Sequence, residues 1–133
     1  MKRNIVQIYA LAICMFCAAA MAVTLGFMGY GVIRIAAPSF TLSSYIHDSH
    51  ADPEEFRSYR MNAAHESVQA KYAAMSDAEL DVERHKSLDI KIAGERRGGY
   101  QGLLRSGIML FVFAGFYLLH WKLSQRIAAR ERE

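Results

Sequence analysis

The feature that most constrains this chain is the separation of its charged residues from two long apolar stretches. Neither Asn4 to Ile33 nor Ser106 to Leu119 contains an Asp, Glu, Lys, Arg or His. The segment between them, Arg34 to Arg105, carries 10 Lys or Arg and 11 Asp or Glu. A helix of about 20 apolar residues crosses the ~30 Å hydrocarbon core of a bilayer. The two stretches therefore predict two transmembrane helices.

Together these stretches predict an all-α membrane protein in which two transmembrane helices are joined by a long extramembrane helical hairpin. The first transmembrane helix is expected within residues 1–35 and the second within residues 99–123. Residues 36–98 would form the extramembrane linker and hairpin, and residues 124–133 a charged C-terminal tail. A hairpin of this size has little apolar surface to bury, so we expect it to pack against copies of itself or a larger partner.

The first apolar stretch, Ile5 to Ile33, can also be interpreted as a secretory signal. Lys2 and Arg3 would be its basic start, and Ala-Met-Ala at positions 20–22 resembles a cleavage site. The apolar run continues past that site to Ile33, whereas a mature chain should turn polar there. We therefore expect a retained membrane anchor.

Small residues recur at every fourth position of the first stretch: Ala10, Cys14, Ala18, Ala22 and Gly26. Small side chains at this spacing let a second helix backbone approach closely, with a right-handed crossing. The alternative is that Ala and Gly are simply common in membrane helices. We predict a helix-packing face.

Cys14 and Cys17 form a C-x-x-C pair inside the same stretch. Redox and zinc chemistry both need thiolates, and a thiolate in hydrocarbon is strongly disfavoured. We therefore expect two small apolar side chains rather than a redox or metal centre.

The second stretch is rich in aromatic residues near its ends. Tyr117 and Trp121 at one end and Tyr100 at the other are typical of the aromatic belts at membrane interfaces. His120 stands beside Trp121 and Lys122, at the polar boundary. We predict that Tyr100, Tyr117, His120 and Trp121 are interfacial anchors, and that His120 is hydrated rather than a haem ligand.

The end of this stretch carries a family resemblance. The residues "LLHWKLSQR", Leu118 to Arg126, resemble the end of a membrane helix in a family of small, uncharacterised bacterial integral-membrane proteins. In that family a His-Trp pair is followed, after two residues, by a small residue and Gln-Arg. The stretches "ERRGGYQGLLRSG" (Glu95 to Gly107) and "IAAPSFTLSSY" (Ile35 to Tyr45) are similar to it as well. The resemblance implies a bacterial inner-membrane protein and assigns no activity and no catalytic residue.

The distribution of basic residues predicts the orientation. Lys2 and Arg3 precede the first span and only Arg34 follows it closely, which favours a cytoplasmic N-terminus. An even number of spans then returns the C-terminus to the cytoplasm and leaves residues 36–98 in the periplasm. Basic residues also lie just before the second span, so the local balance there is even: Lys91, Arg96, Arg97 and Arg105. We predict a multi-pass protein of the bacterial inner membrane.

Local signals mark the helices of the middle segment. Pro38 predicts the end of the first helix, followed by extended polar chain. Asp52 and Pro53, with two acids behind them, predict a helix start, and helical spacing then continues to about Ala74. The capping box that begins at Ser76 starts another helix, expected to end near Arg97 or to continue into the second span.

A cluster of possible metal ligands lies just before that helix start. His47, Asp48 and His50 have ligand chemistry suited to zinc or copper. A closed site needs three or four convergent ligands and a second shell that orients the rings, which a flexible linker lacks. We expect a solvated linker, and a metal site remains the alternative.

No signature of an enzyme is present in the sequence. It has no Gly-rich phosphate loop after a strand, no Ser or Cys nucleophile motif and no metalloprotease helix. Neither span contains a carboxylate, which would mark an ion path. We therefore expect a non-catalytic accessory or assembly subunit of a larger inner-membrane complex, without a cofactor. The alternatives are a small homo-oligomeric channel and a periplasmic metal or haem binder.

The expected partners follow from where the chain is apolar. They are membrane lipid and either other integral-membrane subunits or copies of the same chain. Nucleic acid is not expected, because the basic residues at the ends flank apolar spans and are not interleaved with base-stacking aromatics.

Overall fold

The chain is helical throughout the part that the structure describes. The structure is a computed structural model that describes residues 5–63 and 66–130, and it has no strand within these ranges. Lys2 and Arg3, on which the predicted orientation depends, lie outside them. The helices are α1 (Ile5–Ala36), α2 (Pro38–Thr41), α3 (Ser44–Asp48), α4 (Pro53–Ala63), α5 (Glu66–Ala74) and α6 (Asp77–Arg130).

These helices form two compact units. One unit contains α1 up to Val32 and α6 from Gly99 onward, and the other contains Ile33 to Gly98. We call them the span pair and the middle unit. The helices α1 and α6 each contribute to both units.

Both helices of the span pair are long and apolar enough to cross a membrane. Only 22% of the most apolar window of α1 and 6% of that of α6 is buried. A core helix of a soluble protein of similar composition would be mostly buried, whereas lipid covers exposed apolar side chains. The predicted all-α fold with two apolar helices is confirmed, and these helices suggest a membrane protein.

The helix signals in the sequence act as predicted at three places. α1 ends at Ala36, just before Pro38. At the start of α4 the Glu55 N–H donates to Asp52 Oδ1 at 2.8 Å. At the start of α6 the Ser76 N–H donates to a Glu79 carboxylate oxygen at 3.0 Å, while the Glu79 N–H donates to Ser76 Oγ at 3.4 Å. Hydrogen bonds from Ser76 lower the pKa of the Glu79 carboxyl.

The prediction of extended chain after Pro38 is wrong over most of that segment. Pro38 begins α2, and the Thr41 hydroxyl donates back to the Pro38 carbonyl at 3.1 Å. Only Leu42 and Ser43 have extended backbone angles, and α3 follows them directly. Proline is well suited to the first position of a helix, and here that effect outweighs the polar composition of the segment.

Two further expectations concern the helices that follow. The predicted hairpin of two helices of about 20 residues is not confirmed, because the middle segment contains α4, α5 and the start of α6. Of the two possibilities left open at Gly98 and Gly99, the structure has the continuous one, since α6 passes through both glycines.

A small aromatic core holds the middle unit together. Phe56 of α4, Tyr72 of α5 and Leu80 of α6 are fully buried. The rings of Phe56 and Tyr72 meet edge to face with centroids 6.2 Å apart. Arg60 lies over the Tyr72 ring at 4.8 Å and donates to its hydroxyl at 2.6 Å. These contacts join all three helices.

An ion pair joins the end of α1 to α6 within the middle unit. Arg34 Nε donates to Glu95 Oε2 at 2.7 Å, and the Thr41 hydroxyl oxygen lies 3.4 Å from the same carboxylate oxygen. The guanidinium fills the space beside Gly98, where an added Cβ would lie 2.9 Å from Arg34 Cζ. Gly98 therefore makes room for this ion pair.

We predict different effects of alanine at two glycines of α6. An added Cβ at Gly94 meets nothing within 4 Å, so Gly94→Ala should raise stability by about 0.5–1 kcal/mol through helix propensity alone. Gly98→Ala should give no such increase in stability, because Arg34 must leave its place beside Glu95. Thermal unfolding of the detergent-purified variants measures both effects. Equal stabilisation by the two substitutions would show that the ion pair does not need Gly98.

Candidate functional site

The candidate site is the seam along which α1 and α6 pair. The buried residues of α1 are Ala10, Cys14, Cys17, Thr24 and Gly31. Their steps of four, three, seven and seven residues form a seven-residue repeat, and the half-buried Met21 and Met28 occupy the positions between them. A seven-residue repeat is typical of helices that pack with a left-handed crossing.

The helix α6 presents a matching repeat. From Gly99 onward, a series of its buried and half-buried positions alternates steps of four and three residues: Gly99, Leu103, Ser106, Leu110, Phe113, Tyr117, His120 and Ser124. Gly102, Gly107 and Ala114 are half-buried as well and lie beside this series. Several members of both repeats are small or hydroxyl-bearing, which permits close approach of two helix backbones in lipid.

Ring contacts set the direction and register of the pair. The Tyr9 and His120 rings lie edge to face at 6.2 Å, and those of Phe16 and Phe113 at 6.5 Å. Between these levels the Cys14 thiol donates to the Tyr117 carbonyl at 3.7 Å. Because the numbers rise along α1 as they fall along α6, the two helices are antiparallel.

Sequence reasoning missed this seam. Its signal is present in both apolar stretches, as small and hydroxyl-bearing residues in steps of three and four. In α1 Thr24 belongs to the seam, and its hydroxyl donates to the Ala20 carbonyl at 2.7 Å, so the helix itself satisfies this polar group. By the antiparallel register, Thr24 lies at the same level as Ser106, which is also buried.

The two helices approach each other closely at Gly31. A Cβ added there would lie 3.3 Å from the Gly99 carbonyl oxygen and 3.2 Å from the Leu103 side chain. These distances are tighter than ordinary van der Waals contact. The pair of glycines thus lets the two backbones approach closely at this end of the seam.

The predicted small-residue face is divided between two sides of α1. Ala10 and Cys14 are buried in the seam, whereas Ala18, Ala22 and Gly26 are exposed. An added Cβ at Gly26 meets nothing within 4 Å. At 100° per residue the exposed three lie roughly 130° around the helix from the centre of the seam. We call these three residues the outer small face.

The four predicted anchors also point in different directions. Tyr100 and Trp121 are exposed, as an interfacial position requires. Tyr117 and His120 are half-buried members of the seam. His120 Nδ1 donates to the Phe116 carbonyl at 2.8 Å, and the Tyr117 and Trp121 rings stack at 6.1 Å.

The three possible metal ligands do not converge. His47 is exposed and lies 3.4 Å from the Asp48 carboxylate. His50 is buried, and both of its ring nitrogens have partners within the protein: the Ile46 carbonyl at 2.8 Å and the Ser87 hydroxyl at 3.0 Å. Within residues 5–63 and 66–130, no group of three or more His, Cys, Asp or Glu is placed to hold a metal ion.

No protein-family model, curated protein or solved structure matches this chain. The family resemblance at Leu118 to Arg126 therefore stays a prediction.

We predict that valine at two glycines of α1 separates the seam from the rest of the helix. Gly31→Val should destabilise the span pair by about 1–3 kcal/mol, since the added atoms overpack a close contact. Gly29→Val is the matched control, because a Cβ at Gly29 meets nothing within 4 Å. Thermal unfolding in detergent compares the two variants. Similar losses of stability in both would contradict the close packing of α1 against α6 at Gly31.

Proposed function

We propose that this protein is a non-catalytic accessory subunit of a larger complex in the bacterial inner membrane. The observation that carries the proposal is the second face of α1. One face pairs with α6, and the outer small face of Ala18, Ala22 and Gly26 is left exposed. Such a face is suited to packing against a third transmembrane helix.

The physics of helix association in lipid supports this use of the outer small face. Lipid tails are as apolar as Leu, so helices gain little by hiding apolar surface from them. Association depends instead on close packing, which small residues at four-residue spacing allow. The bulky side chains elsewhere on the spans, such as Phe16 and Phe111, are exposed and suited to lipid.

The seam supports retention of the first span rather than its removal as a signal. A signal segment is recognised by its apolarity and has no need of a face that matches another helix. The buried residues of α1 follow the same seven-residue repeat as their partners on α6. Cleavage near Ala22 would remove Ala10, Cys14 and Cys17 from the pair.

The middle unit supports a partner outside the hydrocarbon. Its fully buried core is only Phe56, Tyr72 and Leu80 among the described residues, which is small for about 60 residues. On α6 the apolar Val82 and Ile90 stay 70% and 62% exposed. A larger partner that covers this side of α6 would add to the core.

The proposed orientation places both termini in the cytoplasm and the middle unit, predicted as a helical hairpin, in the periplasm. It is supported by the cations that precede the first span and follow the second. The single Arg34 after the first span is paired with Glu95. The partners are then integral-membrane subunits or copies of this chain.

Substitutions on two sides of α1 test the proposal. Ala22→Ile should reduce assembly roughly tenfold, since one added side chain separates two closely packed backbones. Val23→Ile is the matched control, because Val23 is exposed beside the outer small face and is already bulky. Native gels of mildly solubilised membranes, with the components identified by mass spectrometry, measure the assembled fraction.

Three outcomes separate the possibilities. A complex with other membrane proteins that is lost in Ala22→Ile and kept in Val23→Ile supports the accessory subunit. A complex of this chain alone, lost in the same way, replaces that proposal with the homo-oligomeric alternative. A monomer in both variants and in the parent chain contradicts the proposal.

A further inference from the structure

The middle unit contains a buried histidine that links two segments distant in sequence. His50 follows α3 and is only 3% exposed. Its Nδ1 must donate to the Ile46 carbonyl, because a carbonyl can only accept, and its Nε2 therefore accepts from the Ser87 hydroxyl in the neutral ring. The ring also packs on Phe56 and Tyr59 of α4, with centroids at 5.0 and 5.7 Å.

The arginine Arg84 of α6 strengthens the same attachment. Its guanidinium donates to the His50 carbonyl at 2.7 Å and to the Ala51 carbonyl at 3.0 Å. It is held in place by Asp81, whose carboxylate accepts from it at 2.6 Å. The hydrogen bond from Arg84 lowers the pKa of the Asp81 carboxyl, so this carboxylate stays ionised in mild acid.

The charged groups that act on the His50 ring are cations. They come from both helices packed against it: Arg60 of α4 and Arg84 and Lys91 of α6. On its own segment, the exposed His47 and Asp48 pair with each other. The Asp81 carboxylate is engaged by Arg84. A proton on His50 would place a buried positive charge close to the positive charges of these three side chains.

We propose that His50 is an acid-released latch that holds residues 44–51 on α6. Near neutral pH the uncharged ring completes its two hydrogen bonds and the segment is attached. In acid, a proton taken up by the ring in place would add a buried positive charge close to the cations Arg60, Arg84 and Lys91, so the ring takes up the proton preferentially after the segment has moved away from α6. Protonation outside the unit is favourable, because water solvates the imidazolium there.

The direction of the pH dependence follows from the histidine. Burial, followed by the nearby cations, lowers the pKa of His50 below the ordinary value of 6.5. The released state therefore binds more protons than the attached state at every pH between the lowered pKa of His50 and 6.5. The attachment has its full strength above about pH 6.5 and weakens as the pH falls below it, by up to roughly tenfold per pH unit.

Two measurements on the full chain in detergent micelles test the latch. Carbon-13 spectra of the histidine rings should show His50 with the proton on Nδ1 at neutral pH and with a pKa below the ordinary value of 6.5. Amide exchange, corrected for its intrinsic pH dependence, should show residues 44–51 losing protection as the pH falls from about 7.5 to about 5, by up to roughly tenfold for each pH unit below about 6.5.

Variants assign that response to the ring. His50→Gln should remove the acid-induced loss of protection, and His85→Gln should keep it, because His85 is exposed and its contacts, both with Asp81, lie within α6 and do not reach residues 44–51. Lys91→Glu replaces a nearby cation with an anion and should move the pH midpoint of the response upward. This variant tests the latch independently, whether or not His50→Gln folds.

The latch is overturned by any of three results. These are a His50 that titrates at or above pH 6.5, protection in residues 44–51 that is unchanged in acid, or an acid response that persists in His50→Gln. None of these results bears on the partner proposed for the outer small face, so the two proposals fail separately.

Discussion

The constraint on which the rest of this structure depends is the cost of an unpaired backbone polar group in hydrocarbon. It requires each apolar stretch to be a helix, because a helix satisfies its own N–H and C=O groups. Two such helices associate only where their surfaces pack closely, since the surrounding lipid is as apolar as their side chains. Pairing of α1 with α6 therefore depends on the residues that allow close contact, and Gly31 beside Gly99 is the clearest of them.

Two different repeats give α1 two packing faces. The seam repeats every seven residues, while the outer small face repeats every four, so the two patterns diverge around α1. A partner helix on the outer small face can thus bind without opening the seam. The small core of the middle unit fits the same interpretation, because a subunit that is stable only within a complex needs little core of its own.

The elements that sequence could predict are those determined by local chemistry. The two apolar helices, the helix starts at Asp52 and Ser76 and the helix end before Pro38 each depend on residues within a few positions. The division of the small-residue face could not be predicted, because it depends on which side of α1 meets α6. The burial of His50 depends on Ser87, which is 37 residues away. The helix α2 was missed because the proline that ends one helix also begins the next. The helix α3 was missed because its start at Ser44 has no side-chain cap that the sequence could reveal.

The central claim is that both apolar helices stay together in lipid. It is tested most directly by alkaline carbonate extraction of cell membranes, followed by measurement of the intact mass of the retained chain. We predict that the chain stays in the membrane fraction and that its mass includes all of α1. Release into the soluble fraction, or a mass that places the first residue just after Ala22, would contradict the claim.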